Sequence, residues 1–147
     1  HDSVVILAAT AEGKMLVQRE QQPGMGWYES APCGSIDSGE SPEAAAAREL
    51  FEETGYKAQE LELWYSEQID HRTDWAIYVF VARGCVRNGE SNPGAGERVV
   101  PREVSFDDFL LTVASDNFKN ANIATRLLRA VLVPSEMIAL KKRLGIE

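Results

Sequence analysis

The chain lacks three features that would place it in well-known classes of protein. No apolar run in its 147 residues approaches the ~18 residues that a membrane-spanning helix requires. It has two cysteines, Cys33 and Cys85, too few for a disulfide framework and without the spacing of a metal site. Basic residues are scarce, 15 against 23 acidic ones, and the net charge of −8 argues against general affinity for nucleic-acid backbone. We therefore expect no membrane or nucleic-acid partner, and reduced thiols in a cytoplasm.

What is present fits one globular domain. The apolar fraction of 44% and the charged fraction of 26% are near globular averages. A chain of this length can bury about two thirds of its unfolded surface around one core, so we expect residues 1–147 to form a single domain. The first residues, HDSVVILAAT, include neither an initiator methionine nor a basic leader. That absence suggests processing, or trimming of a longer N-terminus before His1.

Apolar patterning predicts strands and helices mixed along the chain, without a repeat or a linker. Strands are indicated by runs of branched and aromatic residues at 4–9, 15–18, 27–31, 61–67 and 75–82. The first two are expected to form a hairpin. Helices are predicted at 41–54, from near Phe106 within 104–113, and at 122–132 and 135–144, with loops at 34–39 and 87–96. This mixture indicates a sheet covered by helices on both faces.

The helix predicted from Ser41 to Thr54 has strong local signals. Ser41 is a good N-cap, Pro42 suits the first helical position, and Gly55 is a typical C-terminal stop. The alanine run between them favours helix strongly. The apolar side chains that we expect to face the sheet are Ala46, Ala47, Leu50 and Phe51.

Three carboxylates share one stripe of this helix. Glu49 and Glu53 are four residues apart, and Glu52 lies beside them, so their side chains are neighbours on the helix surface. Like charges at this spacing weaken a helix by a few tenths of a kcal/mol per pair, and Arg48 can offset only part of that cost. Hard oxygen ligands in this arrangement suit Mg²⁺ or Mn²⁺. Three glutamates alone would also fit an ordinary solvated helix face.

These carboxylates belong to a wider pattern of spaced residues, which comprises Gly34, Glu40, Arg48, Glu49, Leu50, Glu52, Glu53, Gly55 and Tyr56. The pattern resembles the Nudix box. At average residue frequencies, all of its charged and glycine positions would match the box by chance at only a few of about 10⁹ starting positions in a sequence. The resemblance implies a Nudix fold, which is an α/β fold: an α/β/α sandwich with a mixed sheet and a loop-helix-loop catalytic motif. It also implies metal-dependent hydrolysis of a nucleoside diphosphate derivative.

The resemblance assigns roles to residues of the motif. Glu49 and Glu53 would be the main ligands of Mg²⁺ or Mn²⁺, with Glu52 a further ligand directly or through water. The backbone carbonyl of Cys33 has a metal-binding counterpart in many members of the family. Arg48 would orient the carboxylates through a charge-assisted hydrogen bond.

Other residues would support the motif or the attacking water. Glu40 would brace the loop-helix-loop, and Gly34 and Gly55 would be structural. Glu97, in the loop 94–98, resembles the acidic residue that some members of the family place over the water as a base, although it could equally be an ordinary loop carboxylate. The other acidic residues considered for this role, which fit a helix start better, are Glu103, Asp107 and Asp108.

The segment before the box is similar to the ADP-ribose and nucleotide-sugar pyrophosphatase branch of the family. The run WYESAPCG, from Trp27 to Gly34, resembles its Glu-x-Pro-Ala-Gly lead-in but holds one extra residue. The proline that marks many ADP-ribose pyrophosphatases is also replaced, by Ile69-Asp70-His71. ADP-ribose or a nucleotide sugar is the expected substrate. The candidate substrate-binding residues, where the aromatics could instead be core residues, are Arg19, Trp27, Tyr28, Arg72 and Arg98.

Two other functions stay open. A nucleoside triphosphate or oxidised-nucleotide pyrophosphatase would use the same box with a different pocket. A nucleotide-sensing module of the same fold would bind without catalysis, but such a module can lose box carboxylates, and all of them are present here. The expected partner is a small-molecule nucleotide. A homodimer is a further expectation, although the N-terminal strands that members of the ADP-ribose branch exchange would lie before His1.

Overall fold

The computed structural model describes all 147 residues, in eight strands and four helices. The strands are β1 (Ser3–Thr10), β2 (Met15–Gln21), β3 (Tyr28–Ser30), β4 (Cys33–Ser35), β5 (Tyr56–Lys57), β6 (Glu60–Gln68), β7 (Ala76–Arg87) and β8 (Arg98–Val104). The helices are α1 (Pro42–Thr54), α2 (Phe106–Val113), α3 (Ala121–Leu132) and α4 (Pro134–Leu144). None of these helices is both long and apolar enough to cross a membrane.

The strands form one mixed sheet. Its centre is the parallel pair of β1 and β7, in which Val5 lies opposite Val79. β4 pairs antiparallel with β1, and β5 and β6 pair antiparallel with β7. β2, β3 and β8 form an antiparallel group, which meets β1 only where Ala9 lies opposite Met15. The site described below lies where this group approaches β4 and α1.

Helices cover both faces of the sheet. Alternate side chains of β1 point to opposite faces, as the period of a strand requires. Val5 and Leu7 belong to a core cluster with residues of α2, α3 and α4, whereas Val4 and Ile6 belong to a second cluster with residues of α1. The predicted α/β/α arrangement with a mixed sheet is therefore confirmed.

Three local expectations were modified by pairing partners that are distant in the chain. The expected hairpin of β1 and β2 forms, but its ladder is limited to one residue pair, and β2 pairs along its length with β8. No strand was predicted at β8, whose sequence RVVPREV holds three charges and Pro101. A proline is tolerated there because β8 pairs with β2 alone and has a free edge. The predicted loop 34–39 begins within β4, which β1 holds in the sheet despite its Gly-Ser sequence.

The caps of α1 follow the local signals. Ser41 accepts a hydrogen bond from the backbone N–H of Ala44 at 3.1 Å. Gly55 adopts a left-handed φ of 77°, and its N–H donates to the carbonyl of Phe51 at 2.8 Å. A Cβ at this position would overlap the carbonyl oxygen of Gly89, so the end of α1 requires glycine for both conformation and space.

The buried face of α1 is rotated slightly from the one expected. Ala46 and Leu50 face the sheet as predicted, but Ala47 is exposed and Ala45 takes its place. Phe51 is only half-buried. The same face also buries Glu53 and Thr54 at the end of the helix, so that one member of the acidic stripe lies in the interior.

Candidate active site

Glu49, Glu52 and Glu53 line a cavity of about 370 Å³ between α1, β4 and the loop before β8. Six carboxylates and one ammonium group line it, so that the cavity is strongly negative. The charged residues of its lining are Glu20, Asp37, Glu49, Glu52, Glu53, Glu97 and Lys119.

Arg48 ties the loop before α1 to the acidic stripe. Its Nε and Nη2 each donate to the carboxylate of Glu40 at 2.9 Å, and Nη2 also donates to the carbonyl of Ser35 at 2.9 Å. Its Nη1 donates to Glu49 at 2.8 Å and to Glu52 at 3.3 Å. The hydrogen bonds with Arg48 hold the pKa of Glu40 at about 2, and Glu40 raises the pKa of Arg48 in turn. This end of the site is an ion-paired unit.

Glu49 lies against the backbone of β4. A Cβ at Gly34 would overlap the carboxylate of Glu49, so only glycine at that position lets the side chain occupy this place. The side chain of Glu49 is 13% exposed. Burial raises its pKa, while the hydrogen bond from Arg48 acts in the opposite direction. The close approach of this carboxylate to the Gly34 backbone places it on the β4 side of the cavity.

Glu53, one turn further along α1, is 8% exposed. Its Oε2 accepts hydrogen bonds from the side-chain amide of Gln18 and from the backbone N–H of Cys33, each at 2.9 Å. Burial nevertheless raises the pKa of Glu53 to about 8. Neutral donors do not offset the desolvation of this carboxyl group, and no cation of the chain contacts it.

Three charged residues of the cavity were not among the predicted site residues: Glu20, Asp37 and Lys119. Glu20 is 2% exposed, and burial acts to raise its pKa, but hydrogen bonds from Ser30 and Tyr28 and the charge of Lys119 lower it on balance. The Nζ of Lys119 lies 3.5 Å from Glu20 Oε1 and 3.3 Å from the hydroxyl of Tyr28. Glu20 is therefore a paired, ionised carboxylate in the wall of the cavity.

A period of two along β2 could have indicated Glu20. Leu16, Gln18 and Glu20 alternate with their neighbours and share the face of the sheet that packs on α1. Lys119 had no such signal, because it follows α2 in an irregular segment. That segment is held by distant contacts: the N–H of Lys119 donates to the carbonyl of Glu29 at 2.8 Å.

Glu97 lines the cavity and is half-buried. It accepts a hydrogen bond from the side chain of Gln22 at 3.1 Å. The alternative acids lie elsewhere: Glu103 accepts from the hydroxyl of Tyr56 at 2.6 Å, and Asp107 and Asp108 begin α2. Of the four acids considered beyond the box, Glu97 alone is brought to the glutamates of α1.

None of the five predicted substrate-binding residues lines the cavity. The guanidinium carbon of Arg19 lies 5.1 Å from the ring centre of Trp27, and Arg72 is exposed in the loop 69–75. Arg98 lines a neighbouring surface pocket with Gln22. Tyr28 is buried and donates to Glu20, which favours the core-packing alternative over stacking of its ring on a base.

Cys33 is one of the residues that line the cavity. Its N–H donates to Glu53, and its thiol is desolvated, with burial raising the pKa to about 12. Burial also raises the pKa of Cys85 to about 12. Neither thiol is disposed to act as a nucleophile at neutral pH.

The residues of the cavity can accommodate a divalent cation. No group of three or more His, Cys, Asp and Glu side chains is already arranged to hold a metal ion, and the carboxylate of Glu49 is turned to Arg48. The donors are hard oxygens, however, and the negative charge of the lining exceeds the positive charge. The raised pKa of Glu53 reflects a desolvated carboxyl group that no positive charge of the chain compensates.

A larger, apolar cavity of about 640 Å³ lies between α2 and α3. Its only charged lining residue is Asp107, and no basic side chain lines it. It therefore has no group that could neutralise a phosphate or coordinate a cation with several oxygens. The side chains that could coordinate a cation are therefore those of the smaller, acidic cavity.

Comparison with known proteins relates the chain to one family. A family model described as the NUDIX domain matches residues 1–127. The chain is 32% identical over 127 residues to the ADP-ribose pyrophosphatase of Bacillus subtilis (strain 168), which covers 83% of this chain and 68% of that protein. It is 52% identical over 46 residues to the ADP-sugar pyrophosphatase of Mus musculus, 31% of this chain and 21% of that protein. A crystal structure of an ADP compounds hydrolase has a similar fold, with a TM-score of 0.72 at 22% identity, over 89% of this chain and 72% of that one.

Proposed function

Because the chain belongs to the Nudix hydrolase family, we propose that it is a metal-dependent pyrophosphatase that cleaves the diphosphate linkage of a nucleoside diphosphate derivative. Water attacks phosphorus in the proposed reaction. The proposed substrate is ADP-ribose or a nucleotide sugar.

The observation that carries this proposal is the charge imbalance of the cavity. Glu49, Glu52 and Glu53 line one polar cavity with three further carboxylates and a single lysine. A diphosphate alone would be repelled by such a surface, whereas a diphosphate accompanied by divalent cations would be attracted. The cavity therefore favours a substrate that arrives together with a metal.

Four groups of the chain are proposed to hold the cation: the carboxylates of Glu49 and Glu53, that of Glu52 directly or through water, and the backbone carbonyl of Cys33. When bound, Mg²⁺ or Mn²⁺ supplies positive charge for the diphosphate oxygens and lowers the pKa of a water molecule. Glu53 presents one carboxylate oxygen to this task, because the other is held by Gln18 and Cys33.

Arg48 is proposed to act as a positioning residue. Its guanidinium joins Glu40 and the carbonyl of Ser35 to Glu49, so it sets the orientation of that carboxylate. Gly34 and Gly55 are proposed to be structural parts of the motif, the first by admitting Glu49 and the second by ending α1.

Glu97 is proposed to be the general base. It lies in the loop opposite α1, lines the same cavity and is held by Gln22 at 3.1 Å. In this role its carboxylate accepts the proton of the attacking water and passes it to solvent through the open side of the cavity. Glu103 has no corresponding access, because its carboxylate accepts from Tyr56 outside the cavity.

The substrate class is supported by the names of two relatives, an ADP-ribose pyrophosphatase and an ADP-sugar pyrophosphatase. Lys119, the one basic side chain in the lining, is proposed to contact a phosphate. Arg19, Trp27, Arg72 and Arg98 stay proposed contacts for the parts of the substrate that extend beyond the cavity.

We further propose that residues 1–147 act as one domain in the cytoplasm. The single sheet, with helices packed on both faces, supports one domain. The proposed partner is the nucleotide substrate, and a homodimer is a secondary proposal that sedimentation or light scattering would test directly.

The experiment that tests the function is a substrate panel. ADP-ribose, nucleotide sugars, dinucleotides and nucleoside triphosphates would each be incubated with the protein and Mg²⁺, Mn²⁺ or a chelator, and the products separated by chromatography. We expect cation-dependent release of AMP from ADP-ribose, or of the nucleoside monophosphate from a nucleotide sugar. Preferential cleavage of triphosphates would contradict the substrate class but keep the site. Binding of a nucleotide without any turnover would favour a sensing module instead.

A further inference from the structure

A buried glutamine lies between two carboxylates of the cavity lining. Gln18, on β2, is fully buried, and its side-chain nitrogen donates to Glu53 Oε2 at 2.9 Å and to Glu20 Oε2 at 3.2 Å. The amide has two N–H groups, so both are used. Gln18 thus joins a carboxylate of β2 to a carboxylate of α1.

The hydrogen bonds of Glu53 divide its two oxygens. Oε2 accepts from Gln18 and from the N–H of Cys33. Oε1 accepts from no donor of the chain. It is not completely buried. Because Glu53 lines the cavity, Oε1 is the atom that the cavity can reach. The two donors therefore fix which oxygen is offered.

The orientation of the amide has a cost. The Oε1 of Gln18 is buried without any hydrogen-bond partner. Rotating the amide would turn this oxygen towards two carboxylates, which are acceptors only when ionised. An unpaired buried carbonyl costs roughly 1–3 kcal/mol. A methionine or leucine would fill a similar volume without that cost, so packing alone does not account for an amide here.

We propose that Gln18 is a positioning residue, which fixes the carboxylate of Glu53 with Oε1 towards the cavity and separates it from Glu20. The proposal rests on the proposed function, in which Glu53 holds a divalent cation. It adds a residue outside the Nudix box to the groups that determine cation affinity. Partners of this kind typically change metal affinity or activity by about 10-fold to 100-fold when they are removed.

The test is the binding of free Mn²⁺ to the Gln18→Met variant, measured by electron paramagnetic resonance without any substrate. Methionine keeps the length of the side chain and removes both donors. We expect the dissociation constant to rise by about 10-fold or more. At saturating Mn²⁺, kcat should fall while KM for ADP-ribose stays near the wild-type value, because Gln18 does not line the cavity. The matched control is Gln68→Met, at an exposed glutamine on β6.

The outcomes separate this proposal from the proposed function. If the wild-type protein binds Mn²⁺ and Gln18→Met binds it equally well, the role of Gln18 is contradicted while the function stands. If the wild-type protein neither binds Mn²⁺ nor hydrolyses any substrate of the panel, the proposed function fails and this role fails with it.

Should Gln18→Met not fold, a double variant preserves the test. In Gln18→Met, the carboxylates of Glu20 and Glu53 would face each other without the amide between them. Adding Glu20→Gln removes one of these two charges and therefore their repulsion. Its Mn²⁺ affinity would be compared with that of Glu20→Gln alone. Weaker binding by the double variant supports the positioning role, and equal binding overturns it.

Discussion

The two ends of the acidic face of α1 hold their carboxylates in different ways. Near the preceding loop, the guanidinium of Arg48 binds both Glu40 and Glu49, so charge is matched by charge. At the other end, Glu53 is held by an amide and a backbone N–H, and no cation of the chain contacts it. The consequence is a large difference in proton affinity: the pKa of Glu40 lies at about 2, and that of Glu53 at about 8.

This difference indicates where a ligand of opposite charge is needed. At the end with Arg48, the guanidinium already supplies positive charge to Glu40 and Glu49. The end with Glu53 is desolvated and short of positive charge, so that a cation bound there would gain most from the interaction. We therefore expect the proposed cation to gain most of its interaction energy from Glu53, at the end of α1 that faces β2.

The largest effect is expected from Glu53→Gln, which alters the end without a cation partner. The substitution keeps the shape of the side chain and removes its charge. We expect kcat to fall by about 10³-fold or more, because several kcal/mol of charge stabilisation depend on the bound metal. Steady-state kinetics at saturating Mg²⁺ measures this. Glu43→Gln, an exposed carboxylate in the first turn of α1, is the matched control. Near-normal turnover by Glu53→Gln would contradict the site.

The next largest effect on kcat is expected at Glu97, in the loop on the opposite side of the cavity from α1. Glu97→Gln should lower kcat by about 10²-fold, the smaller end of the range for general bases, without changing the affinity for Mn²⁺. Glu103→Gln, whose carboxylate bonds Tyr56 outside the cavity, should leave kcat unchanged. If both variants had wild-type kcat, the base would have to be sought elsewhere, although the cation site would stand.

A smaller effect is expected at the end that is already paired. Arg48→Lys keeps the charge but loses the fork that reaches Glu40, Ser35 and Glu49 together. We expect about a 10-fold loss of kcat/KM, as for a residue that orients a ligand. Arg87→Lys, which removes the fork from an exposed ion pair with Glu90, is the comparison variant. Equal activity of the two variants would show that orientation of Glu49 does not depend on the guanidinium.

The smallest effect is on stability without metal. Because the pKa of Glu53 is raised from 4.5 to about 8, the folded wild-type protein loses stability as pH rises between these values. Glu53→Gln has no such loss. In chelator, we expect the variant to gain Tm relative to wild type between pH 5 and pH 9, by roughly 2–4 °C per kcal/mol. Circular dichroism melting curves measure the gap. A gap that does not change with pH would contradict the burial of an unpaired carboxyl group.

Much of the fold could be predicted because its signals are local. β1 is a continuous apolar run, and α1 carries its N-cap, its first-turn proline and its terminal glycine within its own sequence. The spacing of Glu49, Glu52 and Glu53 is equally local, so the acidic stripe could be read from the helix period.

The rest of the site depends on contacts between distant residues. β8 is a strand because β2 pairs with it, and its own sequence indicates no strand. The period of two along β2 places Gln18 and Glu20 on the face towards α1, but their interior position depends on hydrogen bonds with Glu53, Tyr28 and Ser30, which come from distant parts of the chain. Lys119 reaches the cavity through an irregular segment, which no periodicity describes.

The most direct test of the central account is a crystal of the protein grown with Mn²⁺ and a non-hydrolysable ADP-ribose analogue, with anomalous scattering recorded at the manganese edge. We expect an anomalous peak in contact with the carboxylates of Glu49 and Glu53, and beside the diphosphate. A peak elsewhere, or a diphosphate bound without manganese while Glu53 keeps only Gln18 and Cys33 as partners, would contradict the account.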